Sequence, residues 1–302
     1  MHKTSVYLPE PLKAGLAALA RRQNRSEAEL LRSAVEALVN QATEHGTPTT
    51  DTLANTPFTR HRLATGPCLV GVGVGPGDEE LLTLRAVRTL RELDRVFAPC
   101  TSADAIGRAE AIVREAVPGV IVERLVFVMD VDSAARDLAI STAADRVVEA
   151  LDSGERVGFI TLGDPNVYST FSSIADGVRT RRPAATISSI PGIMAFQELA
   201  AQTGTVVVDG NEELHLLPLH ASTEGLAQRL AETRGAVVIY KGGRHIPALA
   251  KTLRDVGRLD GSVLGELLGM TGGRAVSLAS VCDRPASYLA TVIVPPSRNI
   301  AP

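Results

Sequence analysis

The stretch LVGVGVGPGDEE at residues 69–80 is an apolar run that enters a glycine-rich turn and then a helical pattern. A strand, a glycine turn and a helix in this order form the first βα unit of many nucleotide-binding domains. Pro76 stands where the dinucleotide fingerprint GxGxxG requires glycine, and no Lys follows as it does in GxxxxGK[ST]. Asp78, an N-cap candidate, and Glu79 and Glu80 fill the place where a pyrophosphate would bind. These acids would repel an anionic cofactor and tolerate a neutral or cationic one.

Beyond this stretch, short β-rich runs alternate with helical patterns as far as residue 256. Such alternation predicts parallel sheets with helices on their faces. A second set of elements begins near Thr186, and its last three strands, at 263–268, 275–280 and 288–294, have no helices between them and are expected to pair as antiparallel edges. We therefore expect an α/β fold with two domains, residues 67–185 and residues 186–302.

Residues 1–40 predict a separate helical module. Polar and apolar side chains alternate over residues 3–8, and two helical patterns follow, the second preceded by a capping box of Ser26 and Glu29. One strand and two helices in about 40 residues cannot bury a core alone, so we expect this module to dimerise. The pattern resembles the ribbon-helix-helix fold of small bacterial repressors. That resemblance implies contacts between DNA bases and the three polar side chains of the strand, Lys3, Ser5 and Tyr7.

The charge of this module leaves its role open. Residues 1–40 carry six Lys or Arg against four Glu, a smaller basic surplus than DNA-binding domains usually have. The alternative is a dimerisation module without a DNA role. Residues 41–66, with eight threonines and few apolar side chains, are expected to form a flexible linker.

The composition narrows the class of protein. A net charge of −3 and a pI near 6.1 argue against a chain-wide attraction to nucleic acid or anionic lipid. No apolar run approaches the ~20 residues of a membrane span, so we expect a cytoplasmic protein. Three widely spaced cysteines suit a reducing compartment. Neither they nor His215, His220 and His245 have the spacing of a metal motif, and no metal site is expected.

Four loops follow the carboxyl ends of the predicted strands, where ligands of open α/β sheets bind. They are residues 73–78, 162–168, 191–196 and 241–244. In the second loop, Gly163 permits close approach of a ligand to the backbone, and Pro165 fixes the turn. Asp164 either accepts hydrogen bonds from a ribose, lies near a cationic sulfonium, or caps the following helix.

These loops together resemble the tetrapyrrole methyltransferase family. The matching pieces, in the order of the family, are GVGVGPGDEELLTLRAVRTL at 71–90, LGDPNVYSTF at 162–171, IPGIMAF at 190–196, VVIYKGGR at 237–244 and GELLGM at 265–270. The resemblance implies the two-domain methyltransferase fold and S-adenosyl-L-methionine as cofactor. Within the family, the loops look most like the branch that methylates C20 of precorrin-2 in cobalamin synthesis. Glu79, where the family often has Pro, and the N-terminal module depart from the family pattern.

The resemblance also implies roles for single residues. Positions that match the cofactor pocket of the family are Pro76, Leu162, Gly163, Asp164, Val167, Met194, Ala195, Lys241 and Leu268. Lys241 is expected to contribute mainly backbone groups, or else to meet a substrate carboxylate with its side chain. Tyr168 is the catalytic candidate, as a polar contact near the reacting face, with a packed aromatic as the alternative. Candidates for a basic surface that binds a polycarboxylate are Arg85, Arg88, Arg108, Lys241 and Arg244.

The leading hypothesis is therefore an S-adenosylmethionine-dependent methyltransferase that acts on precorrin-2 as a homodimer. Two alternatives stay open at this point. One is an enzyme that methylates cobalt-containing factor II, because the two tetrapyrroles have nearly the same shape. The other is a DNA-binding regulator whose C-terminal part senses S-adenosylmethionine or a corrinoid.

Overall fold

The computed structural model describes residues 10–23, 25–33, 63–127, 133–219 and 225–298, which fall into two units, Met1–Arg62 and Leu63–Pro302. In the first unit, helix α1 spans Glu10–Gln23, and residues 27–33 belong to helix α2. The predicted capping box is confirmed, because the N–H of Glu29 donates to Ser26 Oγ at 3.2 Å and the N–H of Ser26 donates to Glu29 Oε2 at 3.0 Å. The strand with Lys3, Ser5 and Tyr7 lies outside the described residues, as does most of the expected linker.

The second unit contains a parallel sheet, as predicted, and this sheet has five strands. Its strands are β1 (Cys68–Gly73), β2 (Arg95–Cys100), β3 (Val122–Val126), β4 (Arg156–Thr161) and β5 (Thr186–Ile190), in the order β3-β2-β4-β1-β5. The two inner strands β1 and β4 are covered on both faces, which explains their continuous apolar sequence. Leu63 and Ala64, expected in the linker, pack against the core of this sheet.

Four α-helices cover the two faces of the first sheet. They are α3 (Leu84–Glu92), α4 (Arg108–Ala116), α5 (Ser133–Asp152) and α6 (Phe171–Arg181). Alternation along β1 sends Val70 and Val72 to the face packed by α3 and α4, and Leu69 to the face packed by α5 and α6. The predicted helix over 104–116 begins later, at Arg108. Asp78 is an N-cap as expected, but of a short 3₁₀ helix, Glu79–Leu81, that precedes α3.

The second sheet is mixed and also has five strands. These are β6 (Leu214–Pro218), β7 (Ala236–Tyr240), β8 (Val263–Glu266), β9 (Arg274–Ser277) and β10 (Thr291–Val294), in the order β6-β7-β10-β8-β9. The β6–β7 pair is parallel and the others are antiparallel, which confirms the expected antiparallel pairing of the last three strands. Helices α8 (Leu226–Glu232) and α9 (Ile246–Asp255) pack on one face and α7 (Ala195–Thr203) on the other.

Two expectations about these strands are wrong. Strand β5, placed at the start of the second domain, pairs with β1 and is an edge of the first sheet, which therefore extends beyond residue 185. Strand β10, expected at an edge, lies between β7 and β8 in the interior of the second sheet. In both cases the local pattern identifies a strand correctly, but long-range pairing decides its neighbours.

Candidate functional site

Three backbone segments touch one another at the carboxyl ends of β1, β4 and β5. A Cβ on Gly73 would lie 2.5 Å from the carbonyl oxygen of Gly163, and a Cβ on Gly192 would lie 2.1 Å from the same oxygen. Only glycine permits these distances. The N–H of Gly163 also donates to the carbonyl of Gly75 at 2.8 Å. The sequence therefore forms a floor of bare backbone at this end of the sheet.

Asp164 connects two of these segments. Its Oδ1 accepts the N–H of Asn166 at 2.8 Å, and its Oδ2 accepts the N–H of Gly192 at 3.1 Å. Helix α6 begins at Phe171, and its N-cap is Thr170 rather than Asp164. The interpretation of Asp164 as the cap of the next helix is therefore wrong. The carboxylate instead fixes the turn after β4 and ties it to the loop after β5.

The loop after β1 packs directly on the loop after β8. A Cβ on Gly77 would lie 1.8 Å from the carbonyl oxygen of Leu268, and a Cβ on Gly269 would lie 2.3 Å from the backbone nitrogen of Asp78. Gly269 also has a φ of +69°, which favours glycine. These two contacts hold a loop of the first sheet against a loop of the second, and they close one side of a cavity.

The cavity has a volume of about 940 Å³ and lies where the loops of the two sheets meet. All ten residues of the predicted cofactor and catalytic sets line it: Pro76, Leu162, Gly163, Asp164, Val167, Tyr168, Met194, Ala195, Lys241 and Leu268. They come from five separate loops, so the structure brings together what the sequence spreads over nearly 200 residues. Ligand cavities of enzymes commonly have this size and composition.

Three residues in the cavity wall have a left-handed backbone. They are Tyr168 (φ 51°), Lys241 (φ 61°) and Leu267 (φ 49°), and no other non-glycine residue in the described part of the chain has a positive φ. Each such conformation costs on the order of 1–3 kcal/mol and persists only where the surrounding structure enforces it. Their restriction to the cavity wall is typical of a functional site.

Tyr168 lies between the two sheets. Its hydroxyl donates to the carbonyl oxygen of Leu216 on β6 at 2.8 Å, and its ring meets that of Tyr240 edge to face, with 5.9 Å between centroids. The Nζ of Lys241 is 5.9 Å from the centroid of the Tyr168 ring, a cation–π arrangement. Burial raises the pKa of the Tyr168 hydroxyl, which therefore stays protonated near neutral pH.

The charge of the cavity wall is mainly positive. Its basic residues are Arg108, Arg136, Lys241 and Arg244, and its one acidic residue in the described chain is Asp164. Burial lowers the pKa of Lys241, and the positive charge of Arg136 lowers it further. Of the five predicted basic candidates, Arg85 and Arg88 do not line the cavity. Arg136 was missed, and its position after β3, at the carboxyl edge of the sheet, is the one signal that could have found it.

Two buried hydroxyl groups in the cavity wall were also missed. Thr291 on β10 is 1% exposed, and its Oγ1 has no hydrogen-bond partner. The hydroxyl of Tyr240 likewise forms no hydrogen bond of normal geometry, and burial raises its pKa. A buried hydroxyl without a partner costs about 1–3 kcal/mol, so both groups favour a ligand with polar atoms.

Neither histidine of the described chain lines this cavity. His215 Nε2 is 2.8 Å from Thr233 Oγ1 and 3.2 Å from Glu213 Oε2, and His245 belongs to a 3₁₀ turn after β7. His220 lies outside the described residues. Within the described ranges, no three His, Cys, Asp or Glu side chains are grouped so that they could hold a metal ion. None of the described helices is long and apolar enough to cross a membrane.

Known proteins resemble both parts of the chain. The family model for ribbon-helix-helix proteins of the copG family matches residues 2–42, which confirms the predicted resemblance of the N-terminal module. Among solved structures, cobalt precorrin-4 methyltransferase CbiF has a TM-score of 0.58 at 16% identity, over 75% of this chain and 94% of that one. A putative cobalamin synthesis related protein (CobF) from Corynebacterium diphtheriae has a TM-score of 0.57 at 20% identity, over 77% and 99%. These structures show the same fold.

Sequence relatives lead to the family itself. A precorrin-2 C(20)-methyltransferase of Sinorhizobium sp is 33% identical over 236 residues, which cover 75% of this chain and 94% of the relative. A cobalt-precorrin-2 C(20)-methyltransferase of Salmonella typhimurium is 26% identical over 229 residues, 75% of this chain and 95% of the relative. The family model for Tetrapyrrole (Corrin/Porphyrin) Methylases matches residues 68–278, a span that contains the whole first sheet and every strand of the second sheet except β10. This chain therefore belongs to the tetrapyrrole methylases, a family of S-adenosylmethionine-dependent methyltransferases.

Proposed function

We propose that this protein transfers a methyl group from S-adenosylmethionine to C20 of precorrin-2, which gives precorrin-3A in cobalamin biosynthesis. The observation that carries the proposal is the common cavity, in which the cofactor loops of the family meet a wall with four basic side chains. Precorrin-2 is a polycarboxylate, and such a wall suits it. The relative from Sinorhizobium, which matches over most of its own length, is named for this reaction.

The residues present fit S-adenosylmethionine as the cofactor. The backbone floor at Gly73, Gly163 and Gly192 allows a flat adenosine to approach main-chain N–H and C=O groups. The unpartnered hydroxyl of Thr291 is a buried polar atom that a polar ligand would satisfy. The acidic residues after Pro76 would repel the phosphate that other glycine loops bind at this place. S-Adenosylmethionine has no phosphate, so these acids do not oppose its binding.

The bound cofactor supplies an electrophilic sulfonium methyl group for the electron-rich C20 carbon of precorrin-2, and S-adenosylhomocysteine is the second product. The protein mainly has to align the reacting atoms, an effect that can supply ~7–11 kcal/mol in favourable cases. Asp164 holds the two loops of the floor together. Tyr168 is proposed as a contact to the substrate through its ring, because its hydroxyl proton is already donated to Leu216.

The test is incubation with labelled S-adenosylmethionine and metal-free precorrin-2. We expect label in the tetrapyrrole. A protein that binds S-adenosylmethionine but transfers no label to any tetrapyrrole would contradict the proposal and favour a sensor. The Salmonella relative is named for cobalt-precorrin-2, which is compatible with the second candidate substrate, cobalt-containing factor II, so the same assay is run with the cobalt complexes. The ratio of kcat/KM for the two substrates decides between them.

A role of the N-terminal module in DNA binding is a separate proposal. It is supported by the ribbon-helix-helix match at residues 2–42, a fold that binds DNA as a dimer. We accordingly expect a cytoplasmic homodimer in which Lys3, Ser5 and Tyr7 contact DNA. A gel shift with genomic fragments should show salt-sensitive binding that is lost on Lys3→Ala, Tyr7→Ala. If no gel shift is seen even at low salt, the module does not bind DNA, and dimerisation is its only remaining proposed role.

A further inference from the structure

Arg136 and Lys241 line the same cavity from different sheets. Arg136 lies in the first turn of α5, after β3 of the first sheet, and Lys241 follows β7 of the second. Burial lowers the pKa of Lys241, and the positive charge of Arg136 in the same cavity wall adds to this effect. Two like charges that face one cavity repel each other, so the ligand-free arrangement is unfavourable.

The described part of the cavity wall offers no unbonded carboxylate to offset this repulsion. Among the residues that the structure describes, neither Arg136 nor Lys241 forms an ion pair or a side-chain hydrogen bond. Asp164 is the acid of the cavity wall, and both of its oxygens already accept backbone N–H groups. Lys241 has the face of the Tyr168 ring, at 5.9 Å, which is a weaker partner for an ammonium group than a carboxylate.

The position of Lys241 is nevertheless enforced. Its backbone is held at φ 61°, a conformation that a lysine adopts rarely and at a cost. Tyr168, the ring beside it, has the same kind of backbone and is fixed at its other end by the bond to Leu216. A solvated surface lysine would not need such an arrangement. The strain is consistent with a lysine that is held ready for a ligand.

We propose that Arg136 and Lys241 form a two-cation subsite that binds one peripheral carboxylate of a polycarboxylated macrocycle. The identity of the macrocycle as precorrin-2 rests on the proposed function, whereas the subsite itself rests on the contacts described above. A carboxylate between the two cations removes their repulsion and accepts charge-assisted hydrogen bonds from both. Arg136, unlike Lys241, is not among the positions that match the cofactor pocket of the family, so its loss should spare cofactor binding.

The first test measures binding of uroporphyrin III, a macrocycle with eight carboxylates, and of its octamethyl ester. Arg136→Gln and Lys241→Gln should each weaken binding of the acid by about tenfold or more, and the ester should bind weakly to every variant. Arg88→Gln, on α3 and away from the cavity, is the matched control and should bind like the wild type. Affinity for S-adenosylhomocysteine should change less than twofold in Arg136→Gln.

Stability of the ligand-free protein gives a second readout. Because the two cations repel each other, Arg136→Gln should leave the melting temperature unchanged or raise it, while it weakens porphyrin binding. A merely structural Arg136 would lower the melting temperature. The subsite is overturned if Arg136→Gln binds uroporphyrin III as tightly as the wild type does. It is equally overturned if the ester binds as well as the acid, or if the wild type does not bind the acid.

This outcome is distinguishable from failure of the proposed function. Methyl transfer to precorrin-2 with the same KM in Arg136→Gln and wild type would refute the subsite and leave the function standing. Binding of uroporphyrin III that depends on Arg136, without transfer of label to precorrin-2 or to its cobalt complex, would refute the function and support the subsite.

Discussion

The side chain of Asp164, which follows strand β4, accepts a hydrogen bond from the backbone N–H of Gly192, which follows strand β5, at 3.1 Å. The second carboxylate oxygen accepts the N–H of Asn166 at 2.8 Å. One side chain therefore sets the distance between two loops of the proposed cofactor pocket. Hydrogen bonds to a charged group typically contribute about 1.5–3 kcal/mol, enough to hold two short loops in register.

Replacement of Asp164 should therefore impair cofactor binding. We expect Asp164→Ala to weaken binding of S-adenosylhomocysteine by roughly tenfold or more, because both loops lose their common acceptor. Asp164→Asn keeps one oxygen acceptor, so its affinity for S-adenosylhomocysteine should lie between those of Asp164→Ala and the wild type. Isothermal titration calorimetry measures the affinity, and Asp176→Ala, an exposed acid on α6, is the control. Unchanged affinity in Asp164→Ala would show that the link does not matter for the cofactor.

Tyr168→Phe separates a catalytic from a positioning role of that side chain. The hydroxyl proton is donated to Leu216, and the raised pKa keeps it there at neutral pH. We expect kcat within about threefold of the wild type and a loss of stability of about 1 kcal/mol. Steady-state methyl transfer and urea denaturation measure the two effects. A fall in kcat of about 100-fold or more would contradict the positioning role and show that the Tyr168 hydroxyl acts as an acid or base in the reaction.

Gly77→Ala should force the loops after β1 and β8 apart. The new Cβ would lie 1.8 Å from the carbonyl oxygen of Leu268, a backbone atom that cannot move away as the end of a flexible side chain could. We expect a loss of stability of about 3 kcal/mol or more together with weaker cofactor binding. Gly66→Ala, where a Cβ has nothing within 4 Å, is the matched control. Thermal denaturation that gave equal melting temperatures for the two variants would contradict the contact.

The buried carboxylate of Glu110 on α4 gives a pH dependence of stability. Its hydrogen bonds to Arg124, at 2.7 and 3.0 Å, hold the pKa of Glu110 below its usual value of 4.5. A lowered pKa in the folded state stabilises the protein above the unfolded pKa, and this contribution is lost as the pH falls through the folded pKa. The free energy of unfolding should therefore fall below about pH 4.5 more steeply in the wild type than in Glu110→Gln. Parallel pH profiles in urea titrations would rule out this contribution.

The sequence predicts the elements of this fold well because their signals are local. Periodicity identifies the strands, the glycine loop and the helices, and capping chemistry at Ser26 and Asp78 appears as expected. The partners of β5 and β10 could not be predicted, because their pairing joins residues far apart in the chain. Helix α5 shows no charge pattern that would single out Arg136. Its position in the cavity depends on the packing of α5 on the sheet.

The candidate site was predicted in its residues more fully than in their roles. Resemblance located ten wall positions, because sequence motifs preserve which residues line a cavity. It could not show that both carboxylate oxygens of Asp164 accept hydrogen bonds from backbone N–H groups, or that the Tyr168 hydroxyl donates to the carbonyl oxygen of Leu216. Nor could it show the left-handed backbones of Lys241 and Leu267, because strain of this kind is enforced by tertiary contacts and leaves no mark at a non-glycine position.

The central claim is that the protein methylates one carbon of precorrin-2, C20, in the cavity between its two sheets. The most direct measurement is the ¹³C NMR spectrum of the tetrapyrrole formed from precorrin-2 and S-adenosylmethionine labelled with ¹³C in its methyl group. We predict one enriched methyl carbon, bonded to C20, and a lower initial rate of its formation by Asp164→Ala at cofactor concentrations that saturate only the wild type. An enriched methyl group at another ring position, or an unlabelled tetrapyrrole, would contradict the account.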